Sequence, residues 1–78
     1  MDMNTATAKA IQAARAVSGM TVSELSKTSS IPEATLYRIL GAERDIKVNQ
    51  LISLANAMNI TIVDLMQDAT RIQERSER

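Results

Sequence analysis

One aromatic residue, Tyr37, is all that this chain offers a core, although 45 % of its residues are apolar. The interior must therefore be assembled from Leu, Ile, Val, Met and Ala, and such residues pack as a core when they recur at helical steps of three and four. Ala, Leu and Met are strong helix formers, and aromatic residues, which favour strands, are nearly absent. The composition thus predicts an all-α fold. With 78 residues there is room for one modest core, and none for a catalytic domain beside a separate binding domain.

The punctuation of the sequence divides it into five helices with no internal repeat, low-complexity tract or linker. Residues 5–18 are Ala-rich without a breaker, carry Ile11, Ala14 and Val17 or Ser18 along one stripe, and end at Gly19, a left-handed cap. Thr21 followed three residues later by Glu24 forms a capping box that opens a short helix over 21–28, with Val22, Leu25 and Ser26 facing inward. After a break at Ser29, Ser30 and Ile31, Pro32 pre-sets the backbone for a third helix over 32–40 that stops at Gly41. It puts Leu36, Ile39 and Leu40 on its apolar side.

The strongest stripe follows a polar loop of about six residues. Val48, Leu51, Ile52, Leu54, Ala55 and Met58 recur at steps of three and four, which predicts a fourth helix at the hub of the core, with Leu51 and Leu54 equally central. Asn59 can take the left-handed cap that glycine usually takes. Thr61 with Asp64 repeats the capping-box pattern, and Ile62, Leu65, Met66, Ala69 and Ile72 run into a charged tail expected to fray. The expected domain is the whole chain, 1–78, with its core at about 5–68 and a helical extension over 69–78.

Several functions are excluded by what is missing. The chain has no cysteine and no histidine, so disulfides and zinc chemistry are ruled out and no cofactor is expected. An enzyme is a poor reading without those groups or a Gly-rich phosphate loop. No apolar run is long enough to span a bilayer and no signal-peptide layout opens the chain, so a cytoplasmic protein with no membrane association is expected. Net charge is zero, with nine basic and nine acidic residues. The overall basic excess of many nucleic-acid binders is lacking, so a DNA site would have to come from how the charges are distributed.

Two short helices joined by a turn of three or four residues, the second exposing polar residues at its N-terminal end, suit the major groove. That groove is about 12 Å wide and admits one helix while the first helix braces it across the backbone. Residues 21–40 have this arrangement. The segment TVSELSKTSSIPEATLYRIL followed by NQLISLANAMNITIVDLM resembles the phage-repressor and Cro-like helix-turn-helix family (lambda-repressor-like, XRE-type) over about residues 9–67. Arg15, the Thr21 cap, Leu25, the small Ser26, Ile31, Thr35-Leu36 and the LxxLAxAMxIxxxDL pattern carry the resemblance. It departs at three places: Ser30 stands where glycine is usual, Val22 where a phosphate-contacting Gln often follows the cap, and Leu40 where a Glu commonly pairs with the first-helix Arg.

The resemblance implies a compact five-helix domain that binds double-stranded DNA with its third helix. It places Glu33, Ala34 and Arg38 at the base edges, with Thr35 and Tyr37 close by. The chemistry fits: Arg38 can chelate guanine O6 and N7, Glu33 can accept from cytosine N4, and Ala34 can pack on a thymine methyl. Glu33 would also stabilise its helix through the dipole alone, and Tyr37 has two readings, a phosphate contact or partial burial. Arg44 and Lys47 flank the loop where the family approaches the DNA backbone, with Glu43 and Asp45 beside them as competing partners. The helix N-terminus at Thr21 is a natural phosphate seat. Arg15, without its usual Glu, would be free to reach a phosphate or to lie in water.

The function expected on these grounds is a sequence-specific transcriptional regulator, a bacterial or phage repressor. Such proteins usually pair across two half-sites, and Ala69 and Ile72, with no evident partner in so small a domain, are the expected contacts of a homodimer on DNA. Ile72 could instead fold back on the first helix. The rival reading is an antitoxin-like or adaptor module that takes a protein partner through its fifth helix.

Overall fold

The computed structural model describes residues 1–77 and consists of five helices: α1 (Met3–Ser18), α2 (Val22–Ser29), α3 (Glu33–Leu40), α4 (Val48–Ala57) and α5 (Ile62–Ser76). Their termini follow from local chemistry. Asp2 caps α1 by accepting from the Thr5 backbone N–H at 2.7 Å, which starts the helix two residues before the position expected from the alanine run. That bond, and next the Thr5 side chain, hold the Asp2 carboxyl below the usual carboxylate range. At α2 the full capping box forms: Thr21 Oγ1 accepts from Glu24 N and Glu24 Oε1 accepts from Thr21 N, both at 3.1 Å. The backbone bond from Thr21, then its side chain, lower the Glu24 pKa. Only half of the corresponding box forms at α5, where Thr61 Oγ1 accepts from Asp64 N. Aspartate is one methylene shorter than the glutamate that closes the box.

Three helices end in the same left-handed turn. In each, the last residues give a bond spanning six residues (Met20 N to Arg15 O, Glu43 N to Arg38 O, Ile60 N to Ala55 O) around a residue of positive φ. Those residues are Gly19 at 74°, Ala42 at 55° and Asn59 at 56°. Gly19 and Asn59 are the caps that the sequence predicts. At α3 the left-handed residue is Ala42, not the glycine before it, because Gly41 has φ −84°. Gly41 serves a spatial need instead: a Cβ there would lie 3.3 Å from the Tyr37 carbonyl oxygen and 3.2 Å from the Glu43 carboxylate.

The core consists of Ala10, Ile11, Leu25, Ile31, Leu36, Ile39, Leu54, Ala55, Met58, Leu65 and Ala69. All five helices contribute. The most extensive packing joins α1 to α5, so α4 is not the hub that its stripe suggests. Buried Ala6, Ala8 and Ala10 on α1 and Ala69 on α5 are small enough to let helices approach closely. An alanine face of this kind gives a weak hydrophobic pattern in sequence. Conversely, Val48 is 68 % and Ile52 44 % exposed, and Leu51 is only partly buried. Val48 opens the first turn of α4, beyond the reach of the core. Val17, at the other end of α1, is 89 % exposed for the same reason.

The charged tail is helical through Ser76, and side-chain pairs one turn apart, Asp68 with Arg71 and Gln73 with Glu77, support it. The last residue of the expected 69–78 extension lies outside the described residues. No helix among the described residues is long and apolar enough to cross a membrane.

Candidate nucleic-acid interface

The turn between α2 and α3 consists of Ser30, Ile31 and Pro32. Ser30 takes φ 60°, a left-handed conformation that costs an L-residue roughly 1–2 kcal/mol. The neighbours hold it there. Ile31 is 6 % exposed and joins the core, which pins the turn from within. Ser26 Oγ donates to the Ile31 carbonyl at 2.6 Å, tying α2 to the far side of the turn, and the Ser29 hydroxyl lies 3.4 Å from the Ile31 N–H. Pro32 then gives its carbonyl to Leu36 N at 2.9 Å and becomes the N-cap of α3, so the helix proper starts at Glu33 rather than at the proline. The serine staples were not expected from the residues; the TSS run ahead of proline marked a break only.

Anchoring α3 by Leu36 and Ile39 fixes which face it turns outward. At 100° per residue, Glu33, Ala34, Tyr37 and Arg38 lie within one arc opposite those anchors, and all four are exposed. Thr35 is half-buried at the edge of the arc. Tyr37 is 56 % exposed, so its ring stays out of the core. The stripe thus offers a carboxylate, a methyl, a phenol and a guanidinium on one side of a rigid two-turn helix.

The remaining residues singled out in the sequence fall into four places. Thr21 is exposed at the N-terminus of α2, engaged in its capping box. Arg44 and Lys47 lie in the loop between α3 and α4, Lys47 exposed and Arg44 partly so. Their acidic neighbours Glu43 and Asp45 do not pair with them; among the described residues the one ion pair is Asp68 with Arg71.

Arg15 is not free. Its Nη1 donates to the Met20 carbonyl at 2.7 Å and its Nε to Gln12 Oε1 at 2.6 Å, so in place of the missing acidic partner it closes the turn ahead of Thr21. Ala69 and Ile72 are apart from all of these, in the seam between α5 and α1. Ala69 is fully buried in the chain's own core, which removes it as a dimer contact. Ile72 packs against that core and shares a depression with Ala10 and Ala13, the fold-back on the first helix. Small facing residues on α1 supply the partner that the sequence did not reveal.

Two packed helices set by a three-residue turn, with a solvent-facing polar stripe on the second, define a helix-turn-helix domain. The chain belongs to the Cro/C1-type HTH DNA-binding domain family, which it matches over residues 10–70. It is accordingly a DNA-binding domain and not an enzyme. No curated protein matches the chain. Among solved structures it is similar to two crystal structures of the clp gene regulator ClgR from Corynebacterium glutamicum. One is 21 % identical with a TM-score of 0.85, covering 90 % of this chain and 91 % of that one. The other is 19 % identical with a TM-score of 0.90, covering 99 % of this chain and 83 % of that one. At these identities the likeness establishes the shared fold.

Proposed function

We propose that this domain is a sequence-specific transcriptional regulator, a bacterial or phage repressor acting in the cytoplasm, that reads the major groove of its operator with α3. The observation that carries this reading is the exposed arc of Glu33, Ala34, Tyr37 and Arg38 on a helix whose opposite face is locked in the core. Arg38 reads guanine, Ala34 packs on a thymine methyl and Glu33 accepts from cytosine; Thr35 and Tyr37 contact the flanking sugar–phosphate. The N–H groups of Val22 and Ser23, left free in the first turn of α2 beside the Thr21 capping box, together with Arg44 and Lys47, hold phosphates. The similar structures of a gene regulator agree with such a role.

Titration of a selected duplex and a random duplex over a range of salt concentrations tests this reading. Arg44→Ala and Lys47→Ala should weaken both duplexes alike, and each should reduce the salt slope by about 1, the value of one phosphate left unneutralised. Salt-independent binding, or no difference between selected and random duplexes in the unmodified protein, would refute it.

A single α3 covers about four or five base pairs, too few for useful discrimination, so the regulator acts as a homodimer on half-sites about 34 Å apart. With Ala69 buried, the surface of α5 that remains is the shallow apolar groove of Ile62, Val63 and Met66, in which Val63 is 61 % exposed. This is where the second copy sits. Val63→Asp should keep the fold, since the side chain is mostly in water, and abolish cooperative occupation of two half-sites. Sedimentation and duplex titration together check it, and unchanged cooperativity would place the dimer interface elsewhere.

A further inference from the structure

The loop between α3 and α4, residues 41–47, carries both cations assigned to phosphate, yet few of its own bonds hold its middle. Its start is tied to α3 through Ala42 N to Ile39 O and Glu43 N to Arg38 O, and its end to α4 through Lys47 N to Gln50 Oε1. At the centre, the side chain of Asn4 does the work of a neighbouring strand. Asn4 Nδ2 donates to the Arg44 carbonyl at 3.0 Å, and Asn4 Oδ1 accepts from the Ile46 N–H at 3.0 Å. One planar amide thus bonds both sides of Asp45 across sequence separations of 40 and 42 residues. The donor and acceptor orders are complementary, which fixes the amide orientation.

We infer that Asn4 is a positioning residue for DNA binding: it holds the backbone from Arg44 to Ile46 in place so that the Arg44 and Lys47 side chains face the phosphates without first having to be ordered. The inference rests on the reading of that loop as a phosphate contact. Its physical basis is that a flexible loop must lose conformational freedom when it binds, whereas a pre-ordered one has already done so. Several features make the anchor firm. Asn4 lies in the first turn of α1, whose start is itself fixed by the Asp2 cap. The seam beside it is lined by Met3, Thr7, Ile46 and Leu51, and Ile46 packs against the core. Asn4 also precedes residues 10–70, so the side chain that forms the clamp lies outside the family match while the loop it holds lies inside it.

Asn4→Ala is the test, because alanine is the better helix former and leaves α1 intact. Amide hydrogen exchange should accelerate at Ile46 while Leu54 in the core stays protected. Affinity should fall by about 3- to 10-fold, equally on selected and random duplexes, with their ratio unchanged. In an Arg44→Ala, Lys47→Ala background the same substitution should have no further effect. A drop in affinity that persists in that background, or unchanged affinity of Asn4→Ala beside an effective Arg44→Ala, would overturn the positioning role while leaving the DNA reading intact. If Arg44→Ala and Lys47→Ala themselves change nothing, the loop does not contact phosphate and both readings fall together.

Discussion

Leu54→Ala is expected to lower the unfolding free energy by about 2–5 kcal/mol. Leu54 is fully buried, and the core around it includes Ile11, Leu25, Leu36, Ile39 and Leu65. With so few large side chains, the removal of one leaves a void that the small residues around it cannot fill by shifting. A domain of 78 residues has a total stability of roughly 4–12 kcal/mol, so this one change removes a large share of it. The melting temperature should fall by about 4–8 °C for each kcal/mol of destabilisation. Val48→Ala, at a position 68 % exposed on the same helix, is the control and should shift stability by no more than about 0.5 kcal/mol. Leu51, half-buried on the seam with α1, should fall between them. Thermal unfolding followed by helical circular dichroism gives the order directly; equal effects at Leu54 and Val48 would contradict the packing of α4.

Arg38→Ala should cost about 1–3 kcal/mol on the preferred duplex, roughly a 5- to 150-fold decrease in affinity, and little on random DNA. The guanidinium is exposed, forms no ion pair among the described residues and lies on the outward arc of α3. Its energetic value is therefore expected on DNA and not in the free fold, apart from a few tenths of a kcal/mol from its place in the last turn of the helix. Arg38→Lys separates charge from geometry, since lysine keeps the cation but has no planar fork for guanine O6 and N7. It should retain the salt slope and lose most of the preference for the selected site. A uniform decrease on all duplexes for Arg38→Ala would instead make Arg38 a phosphate contact.

Much of this molecule was legible in the residues alone, because the signals are local. Capping at Thr21, the left-handed positions at Gly19 and Asn59 and the break at Pro32 depend on bonds spanning six residues or fewer, so a short window of sequence contains both partners. The anchoring of α3 by Leu36 and Ile39 was equally clear, and with it the outward arc of Glu33, Ala34, Tyr37 and Arg38, since one helical period decides both faces.

What the sequence left undecided depends on residues far apart in the chain. A hydrophobic stripe states which side of a helix turns inward, but not how much of its length the other helices cover. Val48 and Val17 therefore matched the pattern and still ended in solvent. Ala69 looked partnerless because α5 packs on an α1 rich in buried alanines, which carry little hydrophobic signal and gain their effect from close approach. The expected free state of Arg15 gave way to a bond to the Met20 carbonyl, since a backbone oxygen can replace a missing carboxylate and no side-chain motif records it. Asn4 meets Arg44 and Ile46 only when α1 has docked beside the loop. Local bonding fixes where helices begin and end; tertiary packing alone decides which of their residues are covered and which are left to act.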